Sequence, residues 1–303
     1  MSPSAALKSA ALVAALTKAD PASPAFVATG RDSLSIKAGT ILTLNGEPFE
    51  FDEATAIVPS ELTPGQDYQI ISTASGVLFM VACGADIGGD VVVGGFHFAP
   101  GGNAEARSGG DAVPAINPHS IWDLNFRPSC ADARGMTLID GRFWCDIYLC
   151  GSSPHALGTS RFGATIADDR DRPLRPDGKR YPRFDYEVAT AVYAAQGKQL
   201  LSIEEFFAAA FGVTEATSAG DDPRTAGLDA PHTSKWGVMQ ATGNMSTWGH
   251  DGDPEGPRRA CRFGGSWVNG SYAGSRYAYV VYWPDDSYEW LGARGRSDHL
   301  QLA

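Results

Sequence analysis

Tyrosine and tryptophan side chains are concentrated near the end of this 303-residue chain. Five of the ten tyrosines fall within seventeen residues, and two tryptophans lie among or just after them. They are Tyr272, Tyr277, Tyr279, Tyr282, Trp283, Tyr288 and Trp290. Such rings offer a large contact area at a low entropic cost, which is why interface hot spots and antibody paratopes use them. The segment therefore predicts a displayed binding surface, to which Asp285, Asp286 and Glu289 would give an acidic rim.

A packed β-hairpin with cross-strand aromatic pairs is the alternative interpretation of the same residues. Tyr277, Tyr279, Val281 and Trp283 do alternate with other residues, as one face of a strand would. The alternation ends at residues 284–287, where the sequence reads Pro-Asp-Asp-Ser. Periodicity therefore does not account for the aromatic residues, and the binding surface is the favoured interpretation.

Catalytic and metal-binding motifs give little support to an enzyme. The sequence contains neither G-x-S-x-G nor H-E-x-x-H, and its six histidines are scattered. Alternate acids in residues 250–255 (His-Asp-Gly-Asp-Pro-Glu) offer oxygen atoms to calcium, but a full site needs 6–8 of them. A solvated turn is the favoured interpretation there, so no cofactor is predicted and calcium stays an alternative.

The cysteines are five in number and irregularly spaced, at Cys83, Cys130, Cys145, Cys150 and Cys261. Residues 143–150 predict one strand, in which the odd separation of Cys145 and Cys150 directs the two thiols to opposite faces. We therefore expect no bridge between them. Buried reduced thiols in a protein folded in a cytoplasm are the prediction.

Charge argues against two classes of partner. The formal net charge is −11, and no run of Lys or Arg relieves it. Nucleic acid and anionic membranes both attract clustered cations, so neither is an expected partner. Residues 5–16 are rich in Ala and Leu but fall short of the roughly 20 apolar residues that span a bilayer. We expect them to form a short helix within a helical or extended N-terminal segment, residues 1–30, without membrane insertion.

The remaining pattern divides the chain into a β-rich part and a mixed part. Residues 31–124 predict a small β-sandwich, because short apolar runs alternate with Gly/Asp-rich turns. Its clearest signal is Asn45-Gly46 between Thr40–Leu44 and Glu47–Phe51, which predicts a hairpin. In the second part, residues 184–196 and 202–212 predict helices, the latter opening with a Ser202-to-Glu205 capping box.

A set of short motifs in a fixed order resembles the major tropism determinants of phages, which are variable proteins of diversity-generating retroelements. The resemblance runs from about Leu12 to the C-terminus, and its motifs are highly specific as a set. They include Gly94-Gly95-Phe96-His97-Phe98-Ala99-Pro100-Gly101, Arg134-Gly135-Met136-Thr137-Leu138, Asp146-Ile147-Tyr148-Leu149, Thr233-Ser234-Lys235-Trp236-Gly237-Val238, Phe263-Gly264-Gly265 and Gly274-Ser275-Arg276.

The resemblance implies an α+β chain, with a C-type-lectin fold over residues 125–303 preceded by the β-sandwich domain. It implies a homotrimer at a tail-fibre tip of the virion, made in the host cytoplasm. The expected partner is a bacterial surface receptor, a protein by family likeness, whose recognition sets host tropism. The family rewrites its binding surface by error-prone copying of adenines, here over residues 264–295.

Carried over by motif, the resemblance divides this segment into two sets. The ligand-binding positions are Val268, Asn269, Tyr272, Tyr279, Val281, Tyr282, Asp286, Tyr288, Glu289 and Trp290. The scaffold anchors are Gly264, Gly265, Trp267, Gly274, Arg276, Gly292, Arg294 and Gly295. Adenine changes to an Asn codon cannot yield Trp or Glu, so Trp283, Glu289 and Trp290 are fixed or derive from other template codons. The family's N-terminal β-prism is not matched, so the likeness does not extend to how the chain attaches to a fibre.

Three alternatives keep the fold and change the function. A variable protein displayed by a bacterium would carry a lipobox or secretion signal, and neither is convincing here. A calcium-dependent sugar lectin would carry a triplet such as Gln-Pro-Asp, which Trp283-Pro284-Asp285-Asp286 matches only loosely. A formylglycine-generating enzyme shares the lectin-like fold but needs two C-terminal cysteines, and only Cys261 follows Cys150.

Overall fold

The computed structural model describes residues 12–101, 112–253, 259–280 and 283–301. The first part of the chain consists of short strands and one 3₁₀ turn, Pro118–Ser120. The strands are β1 (Ala14–Thr17), β2 (Phe26–Ala28), β3 (Leu34–Ile36), β4 (Thr40–Leu44), β5 (Glu47–Phe51), β6 (Thr55–Ala56), β7 (Gln66–Ser72), β8 (Leu78–Ala82), β9 (Val91–Ala99), β10 (Ala115–Ile116) and β11 (Trp122–Asp123).

The predicted hairpin is confirmed, with β4 and β5 pairing from Thr40–Phe51 to Leu44–Glu47. Its two turn residues both take a left-handed backbone, at φ 49° for Asn45 and 90° for Gly46. A two-residue turn of this type requires positive φ at both positions, which Asn and Gly reach at the lowest cost. The turn chemistry therefore fixes the register of this sheet.

Three small sheets enclose one core in this part of the chain. Their strand orders are β1-β4-β5, β2-β3-β6 and β10-β9-β7-β8, with β11 also on β9. The core includes Leu16, Phe26, Ile36, Ile70 and Phe96. The helix predicted for residues 5–16 is wrong over Ala14–Leu16, because these residues form β1, which pairs with β4 and buries Leu16. Residues 5–11 lie outside the described residues.

The second part combines one large mixed sheet with short helices. Its elements are β12 (Met136–Ile139), β13 (Phe143–Asp146), α1 (Pro154–Leu157), α2 (Tyr186–Ala194), β14 (Gln199–Ser202), α3 (Ile203–Ala209), β15 (Ser246–His250), β16 (Ala260–Phe263), β17 (Ala278–Tyr279), β18 (Leu291–Ala293) and β19 (Gly295–Asp298), with 3₁₀ turns at Ala230–His232 and Gly270–Tyr272. The strand order is β12-β13-β19-β14-β15-β16-β17, and β18 pairs with β15. The last strand thus lies in the middle of the sheet, between β13 and β14.

Both predicted helices are present, and their caps explain where they begin. The Asp185 side chain accepts from the Val188 amide at 2.9 Å ahead of α2. Ser202 and Glu205 form the reciprocal capping box of α3. Each cap supplies an acceptor to amides that the first helical turn leaves unpaired. Within the part of the chain that the structure describes, none of the helices has the length and apolar character needed to cross a membrane.

The strand predicted for residues 143–150 is too long, because β13 ends at Asp146. Beyond it the backbone leaves the strand ladder: residues 147 and 148 bond to loops, and the Cys150 amide reaches a strand, donating to the Ala293 carbonyl of β18 at 2.9 Å. The Ile147 amide donates to the Gly135 carbonyl at 2.8 Å, and the Tyr148 amide donates to the Ser160 hydroxyl at 2.9 Å. All five cysteines lie in the described residues and are free thiols, which confirms that Cys145 and Cys150 are not bridged.

A buried polar network joins the sandwich to the mixed part. His97 on β9 lies between two groups: its Nδ1 is 2.9 Å from Asp67 Oδ1, and its Nε2 is 3.0 Å from the Tyr148 hydroxyl. Arg161 then links Asp67, at 3.3 Å, to Asp132, at 2.8 Å. The network joins residues that are 29 to 94 positions apart, so it fixes how the two parts meet.

The network makes stability depend on pH in a defined direction. Burial alone would raise the pKa of the Asp132 carboxyl, but bonds from Arg134 and Arg161 outweigh it and lower the pKa from 3.8 to about 2. Because the folded pKa lies below the unfolded one, this carboxylate stabilises the fold above pH 3.8 and ceases to do so as the pH falls through 2. We expect Asp132→Asn to flatten the fall in melting temperature between pH 5 and pH 2, as measured by circular dichroism.

Asp140→Asn is the matched control, because the Asp140 side chain is 64% exposed. Its pH profile should follow that of the parent protein. If the melting temperatures of the parent and Asp132→Asn proteins fell in parallel with pH, the assignment of this pH dependence to Asp132 would be contradicted.

Candidate functional site

The aromatic segment lies at the surface and not in a hairpin core. Tyr272 is 80% exposed, Trp283 74% and Tyr279 51%, and Val268 and Tyr288 are exposed as well. The strand in this region, β17, is two residues long, so no extended hairpin forms among the described residues. Exposed rings of this number on a folded scaffold form the kind of patch that marks an interaction site.

Three aromatic side chains of this segment and Arg262 form an ordered group, here called the aromatic cluster: Arg262, Tyr279, Tyr288 and Trp290. Tyr288 and Trp290 stack with ring centroids 4.7 Å apart at an angle of 8°. The Arg262 guanidinium lies 4.9 Å from the Trp290 centroid and 5.1 Å from that of Tyr279. The pairing of β16 with β17 places Arg262 directly opposite Tyr279, so both side chains stand on one face.

The loop formed by residues 283–290 is held by a distant segment of the chain. The Arg183 guanidinium donates to the Asp285 carbonyl at 2.8 Å, and the Tyr186 amide donates to the Pro284 carbonyl at 3.0 Å. The Ser246 amide donates to the Trp290 carbonyl at 3.0 Å. Glu289 forms an ion pair with Arg170, which also contacts Asp222 at 3.0 Å. The loop is therefore fixed at several points along its length.

The remaining predicted ligand-binding positions differ in their surroundings. Val281 and Tyr282 lie outside the described residues. Asp286 is half-buried. The Asn269 side chain stabilises the local backbone, because its Oδ1 accepts from the Ser266 amide at 2.7 Å and from the Ser266 hydroxyl at 3.0 Å.

The glycine and tryptophan anchors lie beneath this surface. Gly264 and Gly265 take φ of +83° and +68°, a region in which other residues are strained. Gly274 packs against the Glu215 carboxylate, which accepts from the Ser275 amide at 3.0 Å and also from its hydroxyl. Trp267 is half-buried and packs on the cluster that contains Ile147, Met239 and Met245.

The predicted anchor Arg294 is buried, and its partners among the described residues are backbone carbonyls. It is 1% exposed. Its Nη1 donates to the carbonyls of Asp146 and Ile147 at 2.8 and 2.7 Å, and its Nη2 donates to those of Met239 and Gln240 at 2.6 and 3.3 Å. Burial lowers the pKa of the guanidinium. One side chain thus joins the end of β13 to the 239–240 turn across the inside of the domain.

Arg276 differs from Arg294, although both were predicted as anchors. It is exposed and lines a groove of about 810 Å³ with Phe207, Phe211 and Glu215. Its side chain therefore belongs to the surface and not to the interior, and its predicted role as an anchor stays a prediction.

Gly292 and Gly295 provide a direct test of the anchor assignment. A Cβ atom at Gly295 would overlap the fully buried ring of Tyr193. At Gly292 it would lie in ordinary contact, 3.5 Å from the Ala167 carbonyl oxygen. We expect Gly295→Ala to cost about 1–3 kcal/mol of unfolding free energy, since overpacking shifts the core. Gly292→Ala should stay within about 0.5 kcal/mol. Denaturant titration measures both unfolding free energies. Equal losses in the two variants would contradict the expected difference between Gly295 and Gly292.

The structure offers little reactive chemistry near the surface. Burial raises the pKa of the Cys261 thiol to about 12, so the sulfur is held as an unreactive thiol. Asp251 Oδ1 accepts from the amides of Asp253 and Arg259, both at 3.2 Å, as in a turn. Pro254 and Glu255 lie outside the described residues. Among the residues that are described, His, Cys, Asp and Glu side chains form no group of three or more suited to a metal ion.

The sequence pattern did not indicate the residues that support the surface from elsewhere. Arg170 and Arg183 lie far from the aromatic segment in sequence, and Arg262 lies just before the predicted variable segment. The one available signal was the Asp/Arg/Pro-rich composition of residues 167–182. Nothing local to Arg262 distinguishes it from other arginines.

Comparisons with known proteins agree with this architecture. Residues 24–123 match the family model described as the Mtd second domain. The "Tail fiber receptor-binding protein" of Bordetella phage BPP-1 is 39% identical over 325 residues, which cover 95% of this chain and 85% of that relative. Among solved structures, the "Major Tropism Determinant U1 Variant" (38% identity) and the "Major Tropism Determinant P3c Variant" (39% identity) each superpose with a TM-score of 0.87. Each match covers 95% of this chain and 86% of the other.

These matches confirm the resemblance and the α+β fold class inferred from the sequence motifs. The relative from Bordetella phage BPP-1 is a receptor-binding protein by name. The identity and coverage with the phage protein are high enough to decide the family. The chain belongs to the major tropism determinant family.

Proposed function

We propose that this chain is the receptor-binding protein of a phage tail fibre and sets the host range of its phage. The relative from Bordetella phage BPP-1 is named for that activity, and the fold is shared over nearly the whole chain. The observation that carries the proposal is the exposure of Tyr272, Tyr279 and Trp283 on a scaffold whose Arg294 is buried. Exposed rings on a rigid scaffold are what a protein needs to bind a partner without catalysing a reaction.

The proposed surface is drawn from the ligand-binding positions named above, presented by the domain over residues 125–303. Its target is a protein on the bacterial surface, because Tyr and Trp suit protein contacts and the exposed Asp285 favours a basic partner. A homotrimer at the virion's fibre tip would multiply a modest affinity for each site through avidity. The domain over residues 31–124 supports the domain over residues 125–303 that presents this surface.

Diversification of this surface is the second element of the proposal. Positions that change without cost must be exposed, since surface substitutions stay within about 0.5 kcal/mol of the parent stability. Sequencing the DNA beside the gene tests this element. A near-copy of the codons for residues 264–295 that differs at adenines, next to a reverse transcriptase gene, is expected. If the locus has neither feature, the protein would instead be an adhesin whose binding surface does not vary.

Receptor binding is tested with the purified full chain, fluorescently labelled and incubated with a panel of bacterial strains that includes Bordetella. We expect saturable binding to some strains and none to others, and we expect the unlabelled chain to compete. Equal binding to every strain, or signal that the unlabelled chain does not displace, would contradict the proposal.

A further inference from the structure

The aromatic cluster contains one residue that the diversified segment does not supply. Arg262 precedes residues 264–295 and belongs to β16, whose neighbour in the sheet is β15. Strand β15 is buried along its whole length, so the backbone beneath Arg262 is fixed by the domain interior. The guanidinium is thus a constant group that lies within a region otherwise predicted to vary.

The geometry of Arg262 suits it to orient rings. Its guanidinium lies within about 5 Å of two ring centroids, those of Tyr279 and Trp290, and a cation at this range is attracted to the face of an aromatic ring. Trp290 in turn stacks on Tyr288. One cation therefore contacts residues from both sides of the surface, since Tyr279 lies on β17 and Trp290 directly precedes β18.

We propose that Arg262 is the positioning residue of the receptor-binding surface, holding Tyr279 and Trp290 in fixed orientations before the receptor arrives. This inference rests on the proposed function for its biological meaning. Ordering the rings in advance reduces the entropy that binding would otherwise lose. It also gives the diversified positions a constant cation to contact, so that an aromatic residue at position 279 is ordered wherever diversification produces one.

The test measures hydrogen–deuterium exchange by mass spectrometry on the full chain alone, without any receptor. Arg262→Met keeps the length of the side chain and removes the charge. We expect amide exchange to rise about fivefold or more in peptides that cover Tyr279 and residues 286–291, because two cation–ring contacts are lost. Arg262→Lys retains the cation and should restore part of the protection. Arg276→Met, the same change at an exposed arginine of the region, should leave exchange unaltered.

A charge-dependent result separates positioning from packing. Equal exchange in Arg262→Met and the parent protein overturns the proposal, and so does equal exchange in the Met and Lys variants. Faster exchange throughout β12 to β15 with a lowered melting temperature would assign Arg262 to the core and also overturn it. In a Trp290→Leu background, Arg262→Met should raise amide exchange less than it does alone, since residues 262 and 290 share one contact.

The labelled-cell assay then separates this inference from the proposed function. Weaker binding of Arg262→Met to strains that bind the parent protein is expected, with part of the binding restored in Arg262→Lys. Unchanged cell binding together with raised exchange overturns the link between ring order and recognition. A parent protein that binds no strain contradicts the proposed function, while the exchange result still decides the positioning role.

Discussion

Replacement of Arg294 by methionine is expected to unfold the C-terminal domain or to lower its melting temperature by about 10 °C. The substitution removes the guanidinium donor from the buried carbonyls of Asp146 and Met239, while the Ile147 carbonyl keeps the Met239 amide as a donor. Each unpaired buried acceptor costs about 1–3 kcal/mol, so the sum is on the order of 4 kcal/mol. Methionine fills much of the same volume, which limits any cavity. Differential scanning calorimetry of the full chain measures the effect.

Arg276→Met is the matched control for this experiment. Both arginines lie in residues 264–295, but Arg276 is exposed and Arg294 is 1% exposed. The control variant should melt within about 2 °C of the parent protein, since surface substitutions change stability little. If Arg294→Met melted with the control, the bonds of its guanidinium to the main chain would contribute little to stability.

Loss of receptor binding without loss of stability is the expected result of combining Tyr272→Ala with Trp283→Ala. Among the described residues these are the most exposed rings of the surface, at 80% and 74%. Truncating an interface hot spot costs about 2 kcal/mol or more, so the pair should weaken binding to receptor-bearing cells by a factor of about 100 or more. Their exposure predicts a melting temperature close to that of the parent protein.

Leu157→Ala provides the comparison, because Leu157 is 54% exposed on α1, outside the aromatic segment. Its binding to cells should equal that of the parent protein. Retained binding in the double variant would mean that recognition uses another part of the molecule. A large fall in its melting temperature would instead place these rings in the domain core.

Features that depend on neighbouring residues were predictable from the sequence. The Asn45–Gly46 turn requires only that two adjacent residues reach positive φ. The capping box of α3 needs two side chains three positions apart. The cluster of tyrosines was visible because composition alone identifies it, and its exposure in the structure agrees with the predicted surface.

Features that depend on distant contacts were not predictable. Residues 147–150 have the apolar character of a strand, but their backbone partners lie in separate segments at least 12 positions away, such as Gly135, Ser160 and Ala293. Arg276 and Arg294 each lie within two positions of a glycine, and neither local context indicates which of the two is buried. The contact between Arg183 and residue 285 spans 102 positions, which no periodic pattern reveals.

Mutation of the side chains in the 283–290 loop can remove only some of the bonds that hold this loop in place. The donors from Arg183, Tyr186 and Ser246 all end on carbonyl oxygens of the loop backbone. Every amino acid carries that oxygen, so these bonds do not depend on which side chains the loop presents. A gene that rewrites codons at random would therefore retain this loop shape in most of its products, and a large share of its variants would reach the cell surface folded and ready to be selected.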